Sequence, residues 1–384
     1  MRRRALLTAL VATAGGAAFA GSLWQGATGV TSPATPGSGS KLNLPDNHGL
    51  ALPSGFTSRV IARSRQLVGD TGYKWHDAPD GGACFDTHDG WIYVSNSEVA
   101  RTGGASAIRF RSDGSIASAY RILHGTNRNC AGGATPWGTW LSGEEVPSGY
   151  IYETDPYGRR RGVRRPAMGR FMHEAAACDP HRQVIYLTED KVDGCFYRFR
   201  PDRWGDLRTG VLEVLVGPPG TSGPVSWVRV PQPATGHIET RYQVAGAKRF
   251  SGGEGCYYAD GTCWFTTKHD NRVWAYDAVG QRIGLSYDGS GAGRTGLING
   301  VDNITGDQSR HIYVAEDRGN MEINMIAPTG EVTTVVRIYG QDQSEITGPA
   351  FSPDQRRLYF SSQRGTAGNA ESGITYEIAG PFDL

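Results

Sequence analysis

Six times along this chain a short apolar or aromatic strand runs into a polar, mostly acidic end: Trp91 to Glu98, Thr139 to Glu145, Val184 to Asp190, Cys263 to Asp270, His311 to Asp317 and Arg357 to Arg364. The aromatics that align the copies, Tyr93, Trp140, Tyr186, Phe265, Tyr313 and Tyr359, are separated by 47, 46, 79, 48 and 46 residues, and the 79 reads as one period plus an insertion. A second polar residue precedes each aromatic by 10 to 14 residues: Asp80, Cys130, Glu174, Glu254, Asp302 and Glu345. Turn signals such as Ala259-Asp260-Gly261 and Ser352-Pro353-Asp354 lie between the two polar positions, so each copy should contain a hairpin. Short strands repeating every ~40 to 50 residues are the signature of a β-propeller with one four-stranded sheet per period. The expected fold is therefore all-β, a six-bladed β-propeller. A β-sandwich would have no reason to repeat an acid after each matching strand.

The 384 residues exceed one ordinary domain, and a closed propeller absorbs that length. Its first and last blades must join, so the weakly alternating Phe56 to Ala62 and Ile374 to Ile378 are expected to share a sheet and remove the open edge. Residues 46–384 form the propeller, and the Trp- and Pro-containing stretch at about 200–243 is expected to be a lid or rim loop. Residues 1–20 read as an export signal, with Arg2-Arg3-Arg4, an Ala/Gly-rich apolar segment and Ala18-Phe19-Ala20 as a small-residue cleavage site. Paired arginines before a weakly hydrophobic segment suggest the twin-arginine translocon, hence an exported protein with no membrane association beyond export. Residues 21–45 read as a flexible Ser/Pro/Gly-rich linker. The formal charge of +1 gives no reason to expect nucleic acid, and a closed ring needs no partner, so a monomer is expected.

Equivalent loops of a propeller meet at one mouth of its central channel. The polar positions therefore converge there: Glu98; Cys130 with Glu144 and Glu145; Glu174 with Glu189, Asp190 and the neighbouring His173; Glu254; Asp302 and Asn303 with Glu316 and Asp317; and Glu345. Carboxylates crowded together raise one another's pKa and cannot all stay ionised without cations. Hard oxygen ligands in this number suit calcium, or a mixed cluster in which one thiolate selects a redox-active metal. Cys130 is the thiol at a repeated polar position; most of the other cysteines read as core. Lys268 and Arg364 stand where other units carry acids, and a cationic pair beside a metal cluster suits an anionic ester, so both are candidate catalytic residues. A calcium-dependent lactonase or esterase and a non-catalytic, metal-stabilised binding propeller are the alternatives.

At these residues the chain resembles the PhoX-type alkaline phosphatase family, over about residues 49–382. The resemblance is carried by Ser95-Asn96-Ser97-Glu98, the long run Asn129-Cys130-Ala131-Gly132-Gly133-Ala134-Thr135-Pro136-Trp137-Gly138-Thr139, Glu144-Glu145, His173-Glu174-Ala175, Thr188-Glu189-Asp190, Glu254-Gly255, Asp302-Asn303, Glu316-Asp317, Ser344-Glu345 and Gln363-Arg364-Gly365. It implies a six-bladed propeller exported by the twin-arginine route that hydrolyses small phosphate esters with a calcium and iron (Ca²⁺, Fe³⁺) cluster, Cys130 being the iron thiolate and the acids its bridging and calcium ligands. The chain departs from the family pattern at Gly143, where a cysteine is expected, and at Gly252, where longer members place an arginine.

Overall fold

A computed structural model describes residues 41–234, 237–290, 297–317 and 319–382. The expected export signal and all but the last residues of the expected linker lie outside them. Six antiparallel sheets make six blades. From the channel outward, blade 1 is Pro79–Thr87, Gly90–Ser97, Gly103–Arg111 and Ile116–Thr126, and blade 2 is Asn129–Ala134, Trp140–Glu144, Ile151–Thr154 and Val163–Arg164. Blade 3 is His173–Asp179, Val184–Glu189, Gly194–Arg203 and Asp206–Val216, with Ser226–Arg229 as a fifth strand. Blade 4 is Gly253–Ala259, Thr262–Thr267, Arg272–Asp277 and Arg282–Asp288; blade 5 is Val301–Gly306, Ile312–Glu316, Glu322–Ile326 and Val332–Ile338. Blade 6 takes Ile346–Phe351, Arg357–Ser362 and Ile374–Ala379 from the C-terminal end and Thr57–Arg63 from the N-terminal end. That closure pairs Thr57 with Ala379 and Arg63 with Ile374, the sheet expected from the sequence. Among the described residues no helix is long and apolar enough to cross a membrane.

Two elements differ from expectation. Leu50–Ala51 caps the outer edge of blade 5, pairing Leu50 with Ile338, before the chain crosses to blade 6. The stretch at 200–243 is not a lid. Asp206–Val216 is the outer strand of blade 3, Ser226–Arg229 extends that blade, and Gly223–Pro224 pairs with the outer strand of blade 4. Its tryptophans are packed: Trp204 sits edge-on to Trp137 at 5.0 Å, and Trp227 donates to the Tyr276 hydroxyl at 2.8 Å. The short turn Thr240–Tyr242 is tied back to blade 3 by Arg241, which meets Glu189 at 3.2 Å and Asp193 at 3.1 Å and also pairs with Glu239 at 2.7 Å.

The repeated aromatics are the core between blades. Tyr93, Tyr186, Tyr313 and Tyr359 are 0% exposed, and Tyr93 stacks on Tyr359 across the junction of blades 1 and 6 at 4.9 Å. Burying such a ring contributes about 1.5–3 kcal/mol each, which explains why this position is the most regular feature of the repeat. All six cysteines are free. Cys256 and Cys263 are diagonal neighbours whose thiols share a hydrogen bond at 3.3 Å rather than a disulfide.

Toward the channel the inner strands of neighbouring blades press on one another. A Cβ at Gly133 would lie 1.9 Å from the carbonyl oxygen of Ala176 in blade 3, and one at Gly255 would lie 2.5 Å from the amide of Ile304 in blade 5. In both cases the obstacle is backbone and cannot swing aside. Gly133→Ala should therefore lose about 3 kcal/mol of stability, the upper range for an overpacked core. Urea unfolding would measure it; a loss under about 0.5 kcal/mol, the size of an ordinary surface substitution, would contradict this packing.

Candidate metal centre

Every inner strand carries a β-bulge, where two of its residues face one on the second strand: after Pro79, Asn129, His173, Gly253, Val301 and Thr347. A bulge breaks the pleat and re-aims a side chain. In blades 1 to 5 the first bulged residue is Asp80, Cys130, Glu174, Glu254 or Asp302, so a single backbone device turns five candidate ligands into the channel. Blade 6 differs. Its bulge holds Gly348-Pro349, and its acid, Glu345, precedes the strand.

The bulges are locked from the neighbouring blade. Asn96 donates to the carbonyls of Cys130 and Ala131 at 3.0 and 2.9 Å, Thr188 donates to the carbonyl of Glu254, and Thr266 to that of Asp302. Each of these donors opposes the bulge of its own blade, so blades 1, 3 and 4 each position the candidate ligand of the next.

The second polar position follows the same logic. Successive strand residues point to opposite faces, so in each acidic pair only one member faces the channel. Glu145 and Asp317 do, beside Glu98 of blade 1. Their partners turn away: Glu144 accepts from the amides of Asn127 and Tyr150, Glu189 from Cys195 N, the Tyr197 hydroxyl and Arg241, and Glu316 from the amides of Asn299 and Glu322. These three carboxylates organise loops. Asp190 stays near the channel, close enough to Glu145 to help raise its pKa. Asn303 lies behind Asp302, donating to it at 3.0 Å while accepting from the Gly348 amide at 2.6 Å. His173 stacks on Phe171 at 3.7 Å, away from the channel acids.

The inward-facing groups form an arc of four overlapping trios whose ligand atoms lie within 4.8 Å of one another: Asp80, Glu98 and Cys130; Cys130, Glu145 and Glu174; Glu174, Glu254 and Asp302; Asp302, Asp317 and Glu345. All of them except the fully buried Glu174 line a cavity of about 210 Å³. The Cys130 thiol donates to Asp80 at 3.4 Å, and the Gln363 amide donates to Asp80 at 2.6 Å and to Glu98 at 3.0 Å. Lys268 meets Glu254 at 3.0 Å, Asp317 at 3.4 Å and Asp302 at 3.9 Å, while Arg364 meets Glu345. Arg128, just before the inner strand of blade 2, adopts the left-handed backbone (φ 46°) and reaches Glu98 at 3.7 Å. Arg128 was not singled out in the sequence, and Gln363 only as a member of the run Gln363-Arg364-Gly365.

Burial, then neighbouring carboxylates, pushes the pKa of Asp80, Glu174 and Glu345 well above the usual range. Glu254 is raised too, by burial above all, against the opposing pull of Lys268. The same causes take Glu145 up to about 9, and burial takes Asp302 up to about 7 despite Lys268. Burial followed by Asp80 and Glu174 raises the Cys130 thiol. For Lys268, burial works against the charge, but Glu254, Asp302 and Asp317 outweigh it and its pKa is raised. Both carboxylate oxygens of Glu174 are buried without a hydrogen-bond partner. An unpartnered buried carboxylate is costly, and a cation on the oxygens of Glu174 would relieve it. The donor set, oxygens with one sulfur, fits hard ions with one softer or redox-active metal.

The family model described as Alkaline phosphatase PhoX matches residues 81–148 and 146–284, more than half of the chain. The chain belongs to the PhoX alkaline phosphatase family. Among solved structures it is similar to PhoX of Pseudomonas fluorescens in complex with vanadate, described as a transition state analogue, at 16% identity and a TM-score of 0.73, covering 89% of this chain and 98% of that one. A protein of unknown function from Bacteroides thetaiotaomicron (10% identity, TM-score 0.54, 84% and 76% covered) and a provisionally assigned gluconolactonase (13%, 0.50, 86% and 93%) share the fold. Among curated proteins none matches the sequence. The two departures from the PhoX pattern have a steric side. A Cβ at Gly143 would lie 2.6 Å from the Glu174 carbonyl oxygen, and Gly252 has φ 74° with His269 and Asp190 3.0 and 3.2 Å from where its Cβ would be.

Proposed function

We propose that this chain is an exported, metal-dependent phosphoric ester hydrolase of the PhoX kind, holding calcium and iron in the channel. The observation that carries the reading is the arc of acids around Cys130, with both oxygens of Glu174 unpartnered at its centre. Cys130, Asp80, Glu98, Glu145 and Glu174 would hold the softer, redox-active ion together with hard ions, and carboxylate oxygens alone suit calcium. When bound, such ions supply Lewis acidity toward a phosphate ester and acidify water.

The protein's own groups do the rest. Lys268 and Arg364 face the cavity from blades 4 and 6 and are placed to meet the charge that develops on phosphoryl oxygens during an in-line displacement. The bulges, braced by Asn96, Thr188 and Thr266, hold the donors so that little reorganisation accompanies the reaction. A cavity of about 210 Å³ takes a phosphoryl group and leaves the alcohol toward the mouth, which favours small monoesters of varied alcohols. Arg2-Arg3-Arg4 supports export by the twin-arginine route, which would let the cluster load before translocation.

The test is hydrolysis of an aryl phosphate at alkaline pH by protein loaded with ferric iron and calcium, against the same protein after chelation. Turnover that chelation removes is expected. No hydrolysis by the folded, loaded protein would end this reading; calcium without iron together with lactone hydrolysis would replace it with a calcium-dependent lactonase.

A further inference from the structure

We infer that Lys268 is a resident cation of the cluster: its ammonium takes the position of a metal ion between Glu254, Asp302 and Asp317, and metal ions collect on the Cys130 side of the arc. The inference rests on the metal-dependent reading above.

The four trios divide at Glu174. On one side stand Asp80, Glu98, Cys130 and Glu145; on the other, Glu254, Asp302, Asp317 and Glu345. The second side carries its own positive charge. The Lys268 ammonium stands 3.0 Å from Glu254, 3.4 Å from Asp317 and 3.9 Å from Asp302, and Arg364 is paired with Glu345. The first side has little. Among the described residues its cation is Arg128, whose side chain is 53% exposed and stands 3.7 Å from Glu98, while Gln363 supplies only a neutral amide.

Position in the repeat points the same way. Lys268 follows Thr267, the residue paired with the start of the bulged strand of blade 4, as Glu98, Glu145, Asp190 and Asp317 follow the corresponding residues of blades 1, 2, 3 and 5. Four blades offer a carboxylate where blade 4 offers an ammonium. One ligand is therefore missing where one fixed charge has been added, and a divalent ion shared by Asp302 and Asp317 would stand against that charge. The ammonium places one positive charge among the three carboxylates without a metal, and Lys268 still lines the cavity.

The test is calcium and iron content per chain, by elemental analysis, of the wild-type protein, Lys268→Met and Lys268→Arg after dialysis against both ions. Lys268→Met should gain one calcium ion per chain over wild type, because three carboxylates lose their counter-charge while the side-chain volume is kept; Lys268→Arg should gain none. An unchanged count in Lys268→Met would overturn the inference. Should that variant not fold, the wild type decides alone: anomalous scattering from a loaded crystal should place no ion bridging Asp302 and Asp317, and an ion found there would overturn the inference. Metal in the wild type with no gain in the variant defeats this inference only, whereas a wild type that binds neither ion defeats the metal-dependent reading as well.

Discussion

Cys130→Ser should remove the iron, bleach any visible colour of the loaded protein and lower hydrolysis by on the order of 100-fold or more, the loss typical when a ligand or its direct support is removed. The reason lies in the bulge of blade 2. Cys130 belongs to two of the four trios, so its sulfur is shared between neighbouring positions of the arc. In the metal-free chain burial and the adjacent acids hold it as a thiol, so a cation at the sulfur is what would make it a thiolate. A ferric ion on a thiolate absorbs in the visible; on an alcohol it does not. Serine keeps the volume and the bulge, whose backbone is held by Asn96, so the melting temperature of the metal-free protein should stay within a few degrees. Cys84→Ser, in the core away from the arc, should change neither colour nor rate. A Cys130→Ser protein that keeps iron, colour and rate would leave a cluster bound by oxygen alone.

Removing the metal should make stability fall as pH rises. Asp302 at about 7 and Glu145 at about 9 lie above their unfolded values near 4, and Asp80, Glu174, Glu254 and Glu345 are raised in the same direction. A group whose folded pKa is raised binds more protons in the folded state, so its stabilisation is fully present below pH ~4 and is lost as pH rises through the folded value. Each such carboxylate costs about 1.4 kcal/mol per pH unit between the two values, and several act at once. The metal-free protein should melt progressively lower from pH 5 to pH 9. With cations on Asp80, Glu145 and Glu174 their share of the penalty is gone, and the loaded protein should lose much less of its melting temperature across that range. Surface acids contribute equally to both forms and cancel in the difference. Parallel curves for loaded and chelated protein would mean that the arc is not where the metal sits.

How far these features could be read in advance depends on what periodicity carries. The aromatics Tyr93 to Tyr359 recur because the space between blades recurs, and the closure of Thr57–Arg63 onto Ile374–Ala379 was visible as alternation at both ends. Leu50–Ala51 was not, since two residues have no period. Asp206–Val216 hid among prolines and tryptophans whose packing is tertiary. Within the site, the five bulged candidate ligands were legible as polar residues 10 to 13 positions before the aromatic. Which member of Glu144-Glu145, Glu189-Asp190 or Glu316-Asp317 faces inward was not, because a pair of adjacent acids states no register; pairing Asn129 with Glu144 fixes it. Glu345 was aligned with the bulged acids, yet its blade bends three residues later. Arg128 and Gln363 follow no repeat and emerge only when blades 1, 2 and 6 meet at one cavity.

The central claim, that six blades are built to gather a mixed metal cluster, is tested most directly by elemental analysis of the folded protein after loading and dialysis. Iron and calcium together, in whole-number proportion to protein and both lost on chelation, is the predicted result. A folded protein that keeps its full melting temperature with only traces of either element would contradict it.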